Sequence, residues 1–102
     1  MNKFGQTIRK HREAKGLLLR QLAAAIEVDT AMMSKIERGE RNAKRHQVKM
    51  LAELLELNTK QLLTFWLADK IYDIVRDEEL AFEALKVAEE EFHYKVLPKT
   101  NN

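Results

Sequence analysis

Basic side chains are concentrated in the stretch AMMSKIERGER, Ala31 to Arg41, and in the four residues after it. An ammonium group binds phosphate oxygens as a point charge, and a guanidinium group can bind two oxygens at once; both can also donate to the acceptor atoms of a guanine edge. The stretch offers only Met33 and Ile36 to a core, so most of its side chains are available to a polyanion. Its basic residues are Lys35, Arg38, Arg41, Lys44 and Arg45.

Residue types that support catalysis or metal binding are scattered. The three histidines, His11, His46 and His93, share no spacing typical of a metal site and no catalytic order with a serine or carboxylate. Glu89 and His93 lie one helical turn apart, but a solvated helix face explains that pair better than a metal site. The sequence has no cysteine and no Gly-rich phosphate loop. We therefore expect no enzyme activity, no metal and no cofactor.

The composition is that of one folded unit. The chain has 102 residues, of which 45% are hydrophobic and 33% are charged. This is enough for one core and too apolar for a disordered tail. The N-terminus has no hydrophobic segment, and no run of apolar residues is long enough to span a bilayer. We expect a soluble, cytoplasmic protein that does not contact a membrane.

The charges divide along the chain. Residues 1–50 hold 12 Lys and Arg against 5 Asp and Glu, whereas residues 51–102 hold 6 against 11. This asymmetry favours a basic half that meets a polyanion and an acidic half that contacts another protein.

The local sequence predicts an all-α fold. A single proline and three glycines interrupt a chain rich in Ala, Leu, Glu and Lys. Asp29 is a favourable N-cap for a third helix, and Gly16 and Gly39 lie where the first and third helices should end. Apolar spacing predicts helices at about residues 3–15, 19–25, 30–38 and 46–56, a long fifth helix capped by Thr59, and a sixth capped by Asp77.

The second and third predicted helices are short and joined by a three-residue turn, which is the arrangement of a helix-turn-helix. Met33 and Ile36 would hold the third helix on the domain while its opposite side enters a major groove about 12 Å wide. Lys35 can donate to guanine O6 or N7, and the Thr30 methyl can contact a thymine methyl. We expect base contacts from Thr30, Ala31, Ser34 and Lys35, and phosphate contacts from Arg38, Arg41, Lys44 and Arg45.

Three motifs follow one another in order: GQTIRKHREAKGL (Gly5 to Leu17), Leu22-Ala23 and IERGER (Ile36 to Arg41). With this spacing, residues 5–57 resemble the lambda-repressor-like (Cro/Xre-type) family of helix-turn-helix transcriptional regulators. The resemblance implies a five-helix domain that binds double-stranded DNA, and an ion pair between Arg12 and Glu37. A bidentate pair that is partly shielded from water would fix the angle between the first helix and the recognition helix.

The sequence departs from the family pattern at three places. Leu18 and Leu19 replace the usual Ser or Thr N-cap and a DNA-contacting Gln; the missing cap costs about 1 kcal/mol, and Arg20 can supply a phosphate contact instead. Glu27 replaces the turn glycine, so the turn is either strained or changed in shape. The run Thr30-Ala31-Met32 is poor in hydrogen-bond donors, which predicts few direct base contacts and a contribution from DNA shape.

The C-terminal helices carry a wide apolar surface. Apolar residues of the sixth helix repeat at Ala81, Leu85, Ala88 and Phe92, so we expect an amphipathic arm. A two-fold homodimer explains this surface better than a sixth helix folded back on the fifth in a monomer, because two linked readers gain discrimination. The residues expected at the dimer interface are Trp66, Ile71, Ile74, Leu85, Ala88 and Phe92.

We predict a helix-turn-helix domain at residues 1–68, a dimerisation extension at 69–96 and a flexible tail at 97–102. The fold expected is a lambda-repressor-like five-helix domain with an extended fifth helix and an additional C-terminal amphipathic helix. The function expected is a repressor of a palindromic operator; autoregulation and restriction-modification control are implied by resemblance. Two alternatives stay open: an antitoxin whose arm, about residues 77–96, binds a protein partner, and a degenerate domain that no longer reads sequence.

Overall fold

The computed structural model describes the backbone of residues 1–100 and the side chains of residues 1–94. In this part of the chain all regular structure is helical, which confirms the all-α prediction. None of the described helices is long and apolar enough to cross a membrane. The helices are α1 (Lys3–Ala14), α2 (Leu19–Ala25), α3 (Thr30–Glu37), α4 (Arg45–Leu54), α5 (Thr59–Val75) and α6 (Ala81–Thr100).

The chain forms two compact units, Met1–Ile71 and Tyr72–Asn102. The first contains α1 to α4 and most of α5, and the second contains the end of α5 and α6. The predicted tail, residues 97–102, lies largely outside the described residues, since only its backbone to Thr100 is described, as part of α6.

The core of the first unit collects apolar side chains from all five of its helices. Because each helix contributes residues three or four positions apart, one face of each is buried. Leu17, Leu19, Val28 and Met32 pack against the edge of this core. The largest fully buried side chains are Ile8, Leu22, Met33, Val48, Leu51, Leu55 and Leu62.

Four helices end in the same way. In α1 to α4 the residue after the C-cap has a positive φ and donates to the carbonyl three residues before it, and the next residue donates to the carbonyl five residues before it. These two bonds define the Schellman motif, which satisfies carbonyls that would otherwise lack a partner. The positive-φ residues are Gly16 (68°), Glu27 (59°), Gly39 (79°) and Glu56 (56°).

Glu27 therefore keeps the backbone geometry that a glycine would normally provide. Its amide donates to Ala24 O at 3.2 Å, and the Val28 amide donates to Ala23 O at 3.0 Å. The turn between α2 and α3 thus has the Schellman geometry. Glu27 adopts the left-handed backbone conformation although this is unfavourable for a residue with a side chain.

The helix N-termini agree with expectation at α3 and differ from it at α5 and α6. Asp29 caps α3 as predicted, since its carboxylate accepts from Met32 N at 2.7 Å. The cap of α5 is Asn58 and not Thr59, because Asn58 Oδ1 accepts from Gln61 N at 2.9 Å. The sixth helix begins at Ala81, so the Asp77 cap was a wrong prediction: residues 76–80 form turns in which Glu78 N donates to Val75 O and Ala81 N donates to Glu78 O.

At α2 and α4 a glutamine accepts from the N-cap amide although the N-cap side chain itself accepts no hydrogen bond. Neither Leu18 nor Lys44 provides a side-chain acceptor, but Gln21 accepts from Leu18 N at 2.7 Å and Gln47 accepts from Lys44 N at 2.8 Å. Each glutamine occupies the third helical position and supplies half of a capping box.

We predict that Glu27→Gly raises the free energy of unfolding by about 0.5–1 kcal/mol, because a left-handed residue with a side chain costs about 1–2 kcal/mol and glycine returns part of this as chain entropy. Urea denaturation measures the change. The control is Glu27→Ala, which removes the charge but keeps the backbone strain. Equal stability of the two variants would contradict the strain at Glu27.

Candidate nucleic-acid interface

Helix α3 turns one side to the core and the other to solvent. Met33, Ile36 and Glu37 are buried, and Asp29 fixes its first turn. Thr30, Ala31 and Lys35 are exposed, and Ser34 is half-buried. The residues expected to read bases thus lie away from the core, on a helix of only 8 residues.

Glu37 fixes the end of α3 through its carboxylate. Arg12 Nε donates to one carboxylate oxygen at 2.7 Å and Arg12 Nη2 to the other at 3.2 Å, while Nη1 donates to Leu17 O at 3.1 Å. The two side chains are only 16% and 6% exposed. The hydrogen bond to Glu37 raises the pKa of Arg12 above its ordinary value, against the opposing effect of burial. The pair links α1 to the recognition helix as the family resemblance implied.

The main chain of Glu37 is also held by α1. Asn2 Nδ2 donates to Glu37 O at 2.8 Å, and Asn2 Oδ1 accepts from Gly5 N at 3.1 Å, so one amide caps α1 and ties it to α3. The approach is close: a Cβ added to Gly5 would lie 2.2 Å from Glu37 O. A side chain at position 5 would therefore force α1 and α3 to shift apart.

Helix α5 anchors the start of α1. Asp69 accepts from Lys3 N and from Phe4 N, each at 2.9 Å, and so satisfies two amides of the first turn. A carboxylate is also favourable at this positive end of the helix dipole. Neither Asp69 nor Asn2 was predicted from the sequence. An asparagine just before a helical pattern is a local signal for a cap, but a cap that comes from another helix has no local signal.

The loop after α3 is fixed by the core. Ala43 is buried, and Ala43 O accepts from Trp66 Nε1 at 2.8 Å. Trp66 is only 7% exposed, which corrects its assignment to a dimer interface. Its ring fills the core, and its N–H holds the loop that carries Arg41 and Lys44. Gln47 Nε2 adds a weaker bond of 3.5 Å to Ile26 O at the end of α2.

The residues expected to contact phosphates are all exposed. Arg41 and Lys44 border a shallow concavity beside Met32 and Ile36 of the recognition helix. The Arg45 guanidinium lies 5.3 Å from the centre of the Trp66 ring, within range of a cation–π contact. Arg20 is exposed in the first turn of α2.

Arg38, unlike the other residues predicted to contact phosphates, is described with hydrogen bonds from its guanidinium to two other side chains. Its Nε donates to Glu40 Oε2 at 2.6 Å and its Nη2 to Glu40 Oε1 at 3.4 Å, and its Nη1 donates to Ser34 Oγ. The hydrogen bond from Arg38 holds the pKa of Glu40 below its usual value, and the same bond raises the pKa of Arg38. The sequence analysis did not identify Glu40 as part of this surface.

Glu89 and His93, the pair weighed as metal ligands in the sequence, lie on the exposed surface of α6. Glu89 Oε1 and His93 Nε2 lie 3.5 Å apart, as an i, i+4 pair on α6. Among the described residues no group of three or more His, Asp or Glu side chains is arranged to hold a metal ion.

A family model described as a helix-turn-helix domain matches residues 3–64. The chain belongs to the helix-turn-helix family. This family match agrees with the lambda-repressor-like, Cro/Xre-type resemblance of the sequence motifs. This helix-turn-helix protein is a DNA-binding transcriptional regulator rather than an enzyme.

Two solved structures are similar to this helix-turn-helix protein. The restriction-modification controller protein C.AhdI from Aeromonas hydrophila is 37% identical, with a TM-score of 0.53, over 59% of this chain and 87% of that chain. The clp gene regulator ClgR from Corynebacterium glutamicum has a TM-score of 0.57 over 93% of this chain and 92% of that chain; at 19% identity it supports the fold alone. No curated protein sequence matches the chain.

We predict that Gly5→Ala lowers the free energy of unfolding by about 1–3 kcal/mol, because its Cβ overpacks the contact with Glu37 O and α3 must shift. The same shift should weaken DNA binding by the folded variant. Thermal unfolding and a DNA-binding titration measure the two effects.

The matched control for this prediction is Gly16→Ala. Gly16 has a φ of 68° but nothing within 4 Å of an added Cβ. The free energy of unfolding of the Gly16→Ala variant should fall by about 1 kcal/mol because of backbone strain, and its DNA affinity should be unchanged. Unchanged DNA affinity in the folded Gly5→Ala variant would contradict the role assigned to the α1–α3 contact.

Proposed function

We propose that the protein is a sequence-specific regulator that binds a roughly palindromic operator as a homodimer and represses transcription, including that of its own gene. The observation that carries the proposal is the recognition helix: α3 is held on its inner side by Arg12, Asn2 and the core, while Thr30, Ala31 and Lys35 are exposed on its outer side. A helix held at a fixed angle can present the same side chains to the same base pairs in every encounter.

The outer side chains have complementary roles in this proposal. Lys35 donates to O6 or N7 of a guanine, and the Thr30 hydroxyl donates to or accepts from a base edge. Ala31 and the Thr30 methyl group contact a thymine methyl. Ser34 is partly covered, so its hydroxyl contributes mainly through the side chain that it contacts.

The phosphate contacts would come from the two ends of the motif. Arg20 begins α2, and Arg41, Lys44 and Arg45 follow α3. The bond between Trp66 and Ala43 supports this assignment because a fixed loop sets the register of these cations on the duplex. Their contribution is independent of sequence and falls as salt rises.

Exposed apolar side chains support the dimer. In the first unit, Leu67 and Ile71 lie one turn apart on α5 and are 41% and 49% exposed. In the second unit, Ile74 and Phe92 are 75% and 70% exposed. We propose that a second copy covers these residues, together with Leu85 and Ala88, and that residues 69–96 serve dimerisation while residues 1–68 read DNA. Two readers related by a two-fold axis match half-sites about 34 Å apart.

The similarity to C.AhdI supports a regulatory setting for the proposed repressor. That protein is a restriction-modification controller, and the match covers 87% of its length but only 59% of this chain. We therefore propose control of a small local gene set, of which restriction-modification genes are one example.

The exposed aromatic residues of α6 favour one second candidate, an antitoxin-type module whose main partner is another protein. Phe82 and Tyr94 are among the most exposed large hydrophobic side chains that the structure describes. In this case the arm would be covered by that partner, and DNA binding would be secondary. The mass in solution separates the two functions, because a homodimer requires the arm and a monomer leaves it available.

We predict that Ile71→Glu weakens dimerisation by at least 10-fold, because a carboxylate would be buried in an apolar interface. Sedimentation equilibrium measures this, and operator affinity should fall with dimerisation while binding to an isolated half-site is unchanged. Gln61→Glu, an exposed site on the same helix with the same change in charge, is the control. A monomeric native protein, or a dimer unaffected by Ile71→Glu, would contradict the interface.

We predict that Lys35→Ala weakens cognate binding by about 1–3 kcal/mol and relaxes the preference at one base position, whereas Arg41→Ala weakens binding to all sequences similarly. Selection from a random duplex pool at physiological salt supplies the cognate site, and titrations against cognate and random duplexes supply the ratio. Recovery of two half-sites about 10 base pairs apart supports the proposed dimeric regulator. If no sequence is enriched, the proposed sequence-specific function is wrong.

A further inference from the structure

Arg38 lies at the C-cap of the recognition helix, and its side chain folds back over the turn before it. The guanidinium contacts Ser34, one turn earlier on the outward side of α3, and it also contacts Glu40 in the turn that ends the helix. Helical side chains lean toward the N-terminus, so a residue at a helix end covers the surface of the preceding turn. The donor at the Ser34 position is therefore the Arg38 guanidinium as well as the serine hydroxyl.

The hydrogen bonds leave Arg38 with a defined set of unused donors. A guanidinium has five N–H groups: one on Nε and two on each terminal nitrogen. Glu40 takes one from Nε and one from Nη2, and Ser34 takes one from Nη1. One N–H therefore remains on each of the two terminal nitrogens. When Ser34 takes the inner N–H of Nη1, the outer N–H groups of Nη1 and Nη2 lie side by side, and such a pair of donors in one plane matches either O6 and N7 of a guanine or two oxygens of a phosphate.

The position of Glu40 is itself fixed by the backbone. Glu40 N donates to Lys35 O at 2.9 Å and Gly39 N donates to Ile36 O at 3.1 Å, which are the two bonds of the Schellman motif at the end of α3. The carboxylate that orients Arg38 is thus connected to the same helix through its main chain. An arginine held on both sides loses less rotamer freedom on binding than an arginine that is free in solvent.

The carboxylate also distinguishes a base contact from a phosphate contact. Phosphate binding depends mainly on positive charge, and Glu40 cancels the charge of Arg38. Base reading depends instead on the direction of the two donors, which Glu40 fixes. The exposed Arg41 and Lys44 in the following loop are better suited to phosphates. The first turn of α3, which is poor in donors, leaves the reading of a guanine to residues further along the helix.

We propose that Arg38, oriented by Ser34 and Glu40, is a base-reading residue that donates its two remaining N–H groups to O6 and N7 of one guanine in each half-site. The proposal rests on the proposed sequence-specific function, since it needs a cognate site. It changes the role of Arg38 from phosphate contact to specificity determinant, and it makes Glu40 a positioning residue.

The first test is Arg38→Lys, which keeps the positive charge and removes the two-donor fork. Titrations would use the operator selected by the native protein, operators with each G·C pair replaced in turn, and a random duplex. We expect the variant to lose about 10- to 100-fold affinity for the operator and to keep its affinity for random DNA. Replacement of the G·C pair that Arg38 contacts should then cause no further loss of affinity in the variant. Arg41→Lys is the matched control and should retain the full base preference.

The second test is Glu40→Gln, which removes the charge and one of the two carboxylate acceptors. A positioning role predicts opposite changes: affinity for random DNA rises severalfold because repulsion from phosphates is removed, while the ratio of operator to random affinity falls. A carboxylate that only repels DNA would instead raise both affinities equally, and this result would overturn the positioning role. Thermal unfolding verifies that both variants remain folded.

Two results separate failure of this inference from failure of the proposed function. If the native protein enriches no sequence, the proposed function fails first. If the native protein selects an operator and Arg38→Lys keeps the same base preference, Arg38 contacts phosphate and the inference is wrong while the proposed function stands.

Discussion

The fold depends on how Glu37 is held at the end of the recognition helix. Its carboxylate accepts from Arg12, its carbonyl accepts from Asn2, and that carbonyl lies against the bare Cα of Gly5. Because α3 buries only Met33 and Ile36 among its apolar side chains, hydrophobic packing alone would give little resistance to a change in its angle. Hydrogen bonds are directional, so three contacts at one residue fix what the small apolar face cannot. The exposed side of α3 is thereby given one orientation.

Helix α5 positions other elements of the DNA-binding unit through two polar contacts, although most of its residues are apolar. Asp69 caps α1, and Trp66, three residues earlier, holds the loop after α3. Both side chains act on elements that are distant in sequence and close to the recognition surface. The helix that carries the exposed residues Leu67 and Ile71 also positions α1 and the basic loop. The residues of α5 are thus divided between folding and a surface available to a second chain.

Several charged side chains of the first 50 residues are paired with one another and so contribute little to the field around the protein. Of the five acidic residues there, Glu13, Glu37 and Glu40 each pair with an arginine, and Asp29 caps α3. Arg9, Arg12 and Arg38 are consequently engaged within the protein. Arg12 positions α3, Arg38 lies over the end of that helix, and Arg9 forms a pair within α1, whereas the exposed cations around the motif provide attraction to a polyanion. A count of charges along the sequence cannot make this distinction.

The sequence by itself determined the all-α class, the order of the six helices and the helix-turn-helix, because these follow from apolar spacing and helix-end residues; its resemblance to a known family implied the Arg12–Glu37 pair. It also located the exposed face of α3. Only the tertiary structure decided that Asp69 caps α1, that Trp66 belongs to the core, that Glu27 keeps the left-handed turn, and that Arg38 is held by Ser34 and Glu40. The physical reason is that helix formation is read from neighbouring residues, whereas a cap from another helix, a close backbone approach or a choice among several carboxylate partners depends on distances that exist only after the chain has folded.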